Sequence, residues 1–266
     1  MTSDKPFDIL VAGEINPDLI LTGDVSAEFN QVEKLVDSAT LAIGSSSAIF
    51  ACGAARLGLH VAFIGVCGDD VFGRFMLDEM QKRNVDVSNV IVRSDGQTGL
   101  SVILNRDADR AILTHPGLIA DLAASDIPDS LLRQARHLHV ASYFLQTKLQ
   151  PDLPALFRRA RSLGLTTSLD TNYDPSEKWI GFDELLSVTN IFLPNEKEAK
   201  SLSGEGNVYE AATRLAVKVE ALAIKMGADG AIGVHEKQVV RVPSIPVNVV
   251  DTVGAGDSFD AAASLI

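Results

Sequence analysis

Near the end of the chain the residues Asp251-Thr252-Val253-Gly254-Ala255-Gly256-Asp257-Ser258-Phe259-Asp260 run into Ala261-Ala262-Ala263. A Gly-Ala-Gly turn opening an alanine-rich helix leaves free backbone N–H groups at the helix start, and such a start attracts anions. The glycines let an anion approach the backbone closely. Asp257 falls in the first turn. Its carboxylate either caps the helix and complements its dipole or takes a proton from an attacking hydroxyl, and residue type alone leaves both open. Asn16-Pro17-Asp18 offers amide and carboxylate oxygens that can accept from vicinal hydroxyls, or it forms a simple turn. Gly44-Ser45-Ser46-Ser47 offers hydroxyl and amide donors, or an N-cap for the helix that follows. Asn195 and Glu198, spaced i and i+3, share one helix face and also read as a capping box.

Elements must hold these groups. Phe7 to Gly13 is a short apolar run stopped by glycine, and His60 to Val66, Leu138 to Phe144, Thr166 to Asp170, Ile191 to Pro194 and Ala221 to Met226 are similar runs. Continuous rather than alternating apolar runs indicate strands covered on both faces. Between them lie helical patterns over Ser46 to Leu57, Asp70 to Lys82, Leu153 to Leu163 and Val208 to Val219, with Asp69 or Asp70 as an N-cap. Strand and helix in alternation predict a three-layer α/β sandwich around a mostly parallel central sheet. Two stretches, Asp18 to Ile43 and Val90 to Leu113, instead carry alternating and β-branched residues with the turn signals Asp95-Gly96 and Asn105 to Asp109. They predict antiparallel strands of a small separate sheet, a natural lid over the core, or else an extension of the main sheet's edge.

The composition sets limits. The 266 residues carry 23 Lys+Arg against 35 Asp+Glu, a formal charge of −12. That balance argues against a nucleic-acid partner, which needs a basic patch, and against an anionic membrane surface. No stretch of about 18 apolar residues predicts a transmembrane helix, and Met1 to Leu10 does not read as a signal peptide. Two cysteines, Cys52 and Cys67, make no disulfide framework, so both are expected as small buried hydrophobes in a reducing cytoplasm. There is no Gly-x-x-x-x-Gly-Lys-Ser/Thr loop, no Gly-x-Gly-x-x-Gly after the first strand and no His/Cys cluster with zinc spacing. His137 and His139 read as scaffold.

The run from Asp251 to Phe259 resembles the second signature of the ribokinase-like (PfkB) carbohydrate kinases, and the similarity extends over essentially the whole chain. The resemblance implies that Asp257 is the catalytic base and that the amides of Gly254, Ala255 and Gly256 form the anion hole. It implies that Asn16 and Asp18 hold substrate hydroxyls. Gly44-Ser45-Ser46-Ser47-Ala48-Ile49-Phe50, leading to Ala55-Arg56-Leu57-Gly58, resembles the first signature. Two positions depart from it: Ser45 replaces a glycine, and Ile49 replaces an asparagine that commonly faces the sugar. Gly44, Ser45 and Ser46 are therefore candidate substrate contacts. Asp170-Thr171-Asn172-Tyr173-Asp174 resembles an Asp-x-Asn-x-Arg motif, making Asn172 a further contact. Asp174 stands where the arginine would be, which disfavours an acidic or phosphorylated acceptor. Asn195 and Glu198 match an Asn-x-x-Glu that orders Mg²⁺ and its waters around the phosphates, and carboxylate oxygen suits that ion. Lys225, Gly227 and Gly230 match a nucleotide-phosphate loop. Asp251 matches a member of a monovalent-cation site, for which K⁺ is the candidate. Gly65 to Gly73 matches a strand–turn–helix of the scaffold.

The resulting expectation is an ATP- and Mg²⁺-dependent kinase acting on a hydroxyl, by preference a primary one, of a sugar or polyol, and paired through its lid as a homodimer. A nucleoside kinase of the same fold is the alternative, motivated by Ile49 and Phe50. A non-catalytic sugar- or nucleotide-binding relative is a third. Ile266 falls about two turns into the helix of Asp257, so a truncated C-terminus is also expected.

Overall fold

The computed structural model describes residues 5–106, 109–174, 177–179, 181–248 and 252–264. The chain opens with β1 (Phe7–Ala12), enters a small sheet with β2 (Pro17–Thr22) and β3 (Ser38–Ile43), and returns through α1 (Ser46–Arg56) to β4 (Val61–Ile64). β5 (Val66–Gly68), α2 (Val71–Gln81), β6 (Val85–Asp86) and β7 (Ile91–Arg93) follow, then β8 (Leu100–Arg106) and β9 (Asp109–His115). α3 (Asp129–Leu132) leads to β10 (Ala135–Val140), α4 (Leu153–Ser162) to β11 (Thr166–Leu169), and α5 (Phe182–Leu186) to β12 (Ile191–Phe192). α6 (Glu196–Ser203) and α7 (Val208–Ala216) precede β13 (Ala221–Lys225), the hairpin β14 (Ala231–His235) and β15 (Gln238–Val242), and the final helix α8 (Ala255–Ala263).

The main sheet has nine strands in the order β15-β14-β13-β12-β11-β10-β1-β4-β6. β6 through β13 are mutually parallel, and only the last hairpin is antiparallel. β1 shows why its run is unbroken. Leu10 and Ala12 pack into a core with α3, α4, α5 and α7, while Ile9 and Val11 pack into a second core with α1 and α2. A central strand between two helical layers exposes neither face to water, so both alternating sets are apolar. The α/β sandwich expected from the sequence is therefore the fold. α2 is capped by Asp70, whose Oδ1 accepts from the amides of Phe72 (3.1 Å) and Gly73 (2.8 Å).

The small sheet has the order β3-β2-β8-β9 and differs from expectation in two respects. It is not wholly antiparallel: β2 pairs with β8 in parallel. The chain leaves after β3, passes through α1 to β7 in the body, and re-enters in the same direction, and so long a crossover yields parallel neighbours. Residues 90–92 do not belong to it either, since β7 pairs with β5 in a separate two-stranded ribbon. A third difference concerns Leu138 to Phe144. β10 spans Ala135–Val140, and the apolar run continues into a 3₁₀ turn over Tyr143–Leu145, because Ser142 takes a left-handed conformation (φ 51°) at the strand end.

His137 and His139 lie inside β10, joined through Ser168 Oγ at 2.6 and 2.7 Å. Burial pushes His137 down to about 4 and His139 well below its ordinary value, so both are neutral scaffold. Cys67 is buried, Cys52 half-buried, and neither is in a disulfide. Among the described residues no helix is long and apolar enough to cross a membrane.

Phe157 of α4 is fully buried in the larger core. Phe157→Ala is expected to cost about 3–5 kcal/mol, read as a lower urea midpoint with an unchanged slope; a loss under 1 kcal/mol would show that this helix does not close the core.

Candidate active site

Because β1, β10, β11, β12 and β13 run parallel, their C-terminal ends reach one edge of the sheet, where ligands of open α/β sheets bind. α8 starts at this edge. Its N-cap is Gly254 in the left-handed region (φ 71°), and no side chain caps the first turn. A Cβ on Gly254 would lie 3.0 Å from Ile49 Cγ2, so Ile49 of α1 packs against the backbone that begins the helix. Asp257, in the first turn, is half-buried. Its carboxyl is pushed up to about 6, first by burial and then by the charge of Asp170, with Glu14 adding to the rise, while Lys225 and a hydrogen bond from Ser46 oppose it.

Lys225, the last residue of β13, does not point outward. Its Nζ donates to Asp170 Oδ2 (2.9 Å) and Asp260 Oδ2 (2.7 Å), and the three side chains are 13, 3 and 1 % exposed. Carboxylate oxygens of Asp170, Asp257 and Asp260 lie within 4.8 Å of one another. Burial raises Asp260 well above its ordinary value, helped by the charge of Asp170. Burial also works against the Asp170 carboxylate, but Lys225 and the hydrogen bonds around it bring it below the usual range. Of this pair Asp260 is therefore the carboxyl that takes a proton more readily. Burial opposes the Lys225 charge, yet its two partners raise it above its ordinary value.

The wall opposite Lys225 is built around Glu14, which follows β1 and is buried. Its carboxylate accepts from Ser47 Oγ (2.6 Å), Ser47 N (3.2 Å) and Ser45 Oγ (3.1 Å), and Ser142 Oγ lies 2.9 Å away. Ser45 also caps α1, accepting from Ala48 N. Ser45 and Ser47 are thus spent on the scaffold, and Ser46 is the serine of the triplet that faces the site. The Asn172 amide bridges to it. With its nitrogen toward Asp170 (3.2 and 3.3 Å), its oxygen meets the hydroxyls of Ser46 (2.5 Å) and Ser142 (2.9 Å). Asn16 and Asp18 stand where β2 leaves this wall for the small sheet. Asn16 Nδ2 donates to Ser101 Oγ of β8 (3.3 Å). Gly44 leaves room for both: a Cβ there would lie 2.2 Å from Asp18 Oδ1 and 2.7 Å from the Asn16 carbonyl. Burial pushes Asp18 up to about 6, against the pull of Arg110. Phe50, in contrast, is fully buried and stacked on His139 with ring centroids 3.5 Å apart.

On the other side of α8 lies a cleft of about 440 Å³ lined by Asn195, Glu196, Lys197, Lys200, Lys225, Met226 and Gly227. Asn195 caps α6 and forms a reciprocal capping box with Glu198, whose Oε2 accepts from Asn195 N at 2.9 Å. Burial and then the Asp170 charge push the Glu198 carboxyl up to about 7. Gly227 (φ 57°) faces open space, whereas Gly230 is required by the fold, since a Cβ there would lie 2.0 Å from the Val242 carbonyl. Asp251 lies outside the described residues.

Gly254 to Asp257, Ser46, Asn172, Lys225, Asn195 and Glu198 thus meet along one edge, with Asn16, Asp18 and Gly44 at the foot of the small sheet. Glu14, Ser142 and Asp260 were missed by the sequence reasoning. A carboxylate directly after the apolar run of β1 was a visible signal for Glu14, and a carboxylate on the alanine face of α8 was one for Asp260.

The sequence model of the pfkB family carbohydrate kinases matches residues 7–264. A sugar kinase of Archaeoglobus fulgidus, itself uncharacterized, is 30% identical over 211 residues, 79% of this chain and 83% of its own length. The ribokinase of Staphylococcus aureus is 25% identical over 261 residues, 94% of this chain and 83% of its own. The structure of Arabidopsis thaliana ribokinase with ribose and ATP superposes with a TM-score of 0.81 at 21% identity, covering 97% of this chain and 85% of that one, a likeness of fold.

Removing the Glu14 carboxylate leaves the buried Ser47 hydroxyl and amide short of an acceptor, while Ser45 keeps the Glu14 carbonyl (2.7 Å) and Ser142 the Asn172 oxygen. Glu14→Ala is expected to lower stability by about 2–4 kcal/mol; chemical denaturation within 0.5 kcal/mol of wild type would mean that water replaces the carboxylate.

Proposed function

The chain belongs to the pfkB family of carbohydrate kinases, and from that premise we propose that it transfers the γ-phosphate of ATP to a hydroxyl, by preference a primary one, of a neutral sugar or polyol. The observation that carries this reading is the start of α8, where an uncapped turn of backbone N–H groups is followed at once by a half-buried carboxylate poised near 6. The acceptor hydroxyl oxygen attacks the γ-phosphorus, the bond to the β–γ bridging oxygen breaks, ADP leaves, and the hydroxyl proton goes to Asp257. The amides of Gly254 and Gly256, and that of Ala255 once released from its 3.3 Å bond to the Thr252 carbonyl, would face the charge on the transferring group, so the protein contributes chiefly position and electrostatics.

Asn16, Asp18, Ser46 and Asn172 supply the acceptors and donors that would orient the sugar hydroxyls. Glu14, Asp18 and Asp170 line or underlie this side, and the Lys225 charge is committed to Asp170 and Asp260. That balance favours an uncharged acceptor over a phosphorylated or acidic one. The nucleoside alternative loses part of its motive, because Phe50 is in the core and Ile49 is against Gly254. The nucleotide phosphates would lie in the cleft with Gly227, Lys197 and Lys200. Asn195 and Glu198 offer hard oxygen donors at its wall, a set that fits Mg²⁺ held through water. Bound there, the ion would supply neutralising charge to the phosphates. A role for K⁺ rests on Asp251 and stays with the family resemblance.

Three broader assignments go with this reading. β2 links Asn16 and Asp18 directly to the small sheet, which supports its action as a lid that excludes water over the sugar. Ile112 and Leu113 of β9 are 52 and 62 % exposed, which supports pairing of two chains through the lid. Two unpaired cysteines are in keeping with the cytoplasm.

ADP release with Mg·ATP should appear with one acceptor from a panel of hexoses, pentoses and nucleosides. Asp257→Asn should lower kcat by about 10²–10⁴-fold while leaving acceptor KM within about threefold. A fully active variant would remove Asp257 from the chemistry, and a silent panel with a folded wild-type chain would favour the binding-protein reading. The base works only when ionised, so kcat/KM should fall as pH drops through about 6, approaching tenfold per unit below it. A profile flat down to pH 5 would overturn that assignment.

A further inference from the structure

We propose that Lys225, gripped between Asp170 and Asp260, is a positioning residue for phosphoryl transfer: a fixed positive charge built beneath the start of α8. The proposal rests on the reading of α8 as the anion hole with its base. It departs from the expectation that Lys225 reaches for the nucleotide. The ammonium is held inward by two carboxylates at 2.9 and 2.7 Å, and the carboxyl groups are 3 and 1 % exposed. A Cβ built on Gly256 would lie 3.7 Å from Lys225 Nζ. The charge therefore sits directly under the backbone of the hole without occupying it.

The grip joins three separate elements. Asp170 follows β11, Lys225 ends β13, and Asp260 is in the second turn of α8, so the height and rotation of that helix are tied to the sheet by one ion group. Burying such a group is expensive: each ion loses solvation worth several kcal/mol, and well-packed apolar residues would serve stability as well or better. Asp260 Oδ1 is moreover buried with no hydrogen-bond partner, a further cost with no stabilising return. The arrangement is explained if the charge is needed where it stands.

What it does there follows from the neighbours of Asp257. From β11 Asp170 repels its ionised form, and from the end of β1 Glu14 does the same. From α1 the Ser46 hydroxyl is its hydrogen-bond partner, and from β13 Lys225 attracts it. On its own helix Asp260 is pushed up by burial and by Asp170, so it takes a proton more readily than its neighbours. Lys225 is thus the cation, among these neighbours, that keeps a buried carboxylate next to two others ionised at neutral pH. The same charge lies 3.7 Å from where a Gly256 Cβ would be, where it adds to the field of the amides.

The test is Lys225→Met, which keeps the length and removes the charge, assayed beside wild type with the acceptor found above. The acid limb of kcat/KM should move up by about one pH unit or more, kcat at its pH optimum should fall by about 10²-fold, and KM for ATP should stay within about threefold. A large rise in KM for ATP with an unmoved acid limb would instead make Lys225 a phosphate ligand and overturn the proposal. A lower melting temperature with unmoved limb and kcat would make it a structural residue only, with the same consequence. Should Lys225→Met not fold, Lys225→Gln, whose amide can still donate to Asp170, is measured in the same way. Failure of both to fold while wild type is active would assign the charge to the fold and end the proposal. A folded wild-type chain that phosphorylates nothing would overturn the kinase reading itself.

Discussion

Three carboxyl groups and one ammonium are buried together at the edge of the sheet, and the rest of the site depends on how that charge is balanced. Separated from Lys225, the ionised Asp170 would be a lone buried charge, a state that costs about 3–5 kcal/mol when created by removing one partner. The balance is local: the Lys225 ammonium favours the ionised form of Asp170, while burial and the Asp170 charge favour the protonated form of Asp260. Asp257 is left as the group of this cluster free to change its protonation near neutrality. The spacing of β11, β13 and α8 is thereby an electrostatic quantity as well as a packing one. α8 cannot rotate without moving Asp260 off Lys225, and any such rotation carries the Gly254 to Gly256 amides with it.

A second, uncharged-to-anionic web holds the opposite wall. Ser45, Ser142 and Asn172 all adopt positive φ (65°, 51° and 53°), and all three converge on the Glu14–Ser46–Ser142–Asn172 network. Non-glycine residues in that region cost about 1–3 kcal/mol each, so the hydrogen bonds to Glu14 and Asn172 offset strain that places donors where regular structure would not. Ser142 makes the point most directly. Its left-handed turn ends β10 and aims its hydroxyl across to the end of β1. The two walls meet at Ser46, which bonds Asn172 on one side and Asp257 on the other.

Most of the sheet was legible because burial on both faces writes unbroken apolar runs into the sequence, and parallel order follows from helices between them. The small sheet was legible as strands but not as pairings. Local alternation marks a strand, whereas the parallel register of β2 with β8 and the capture of 90–92 by β5 depend on where a distant part of the chain returns. The strand assigned to 138–144 failed for a related reason: apolarity continues past Val140, but the aromatic side chains of Tyr143 and Phe144 pack from a turn, not a strand. At the site, the glycine turn opening a helix was readable from residue type, whereas the role of Asp257 as base came only with the family resemblance. The inward course of Lys225 was not, since a lysine after a buried strand has no preferred direction until its partners, Asp170 and Asp260, are known to lie 55 and 35 residues away.

The position of Ile49 ties these threads to specificity. An asparagine there would have a polar end available to the acceptor, but the isoleucine lies against Gly254 and stiffens the start of α8 from the α1 side. α1 and Lys225 therefore brace the same turn from two directions, one by contact and one by charge. In the proposed kinase, recognition of the acceptor would then fall on groups that remain open on the other wall: Ser46 and Asn172 beside Asp257, and Asn16 and Asp18 at the root of the small sheet. Of these, only Asn16 and Asp18 are attached to the small sheet, through Ser101 and through the β2 backbone itself. A sugar that bridges both sets would draw the lid toward α8. Closure and correct placement of the reacting hydroxyl would then be one event, so that water, which cannot bridge them, would leave the lid open and the phosphate unspent.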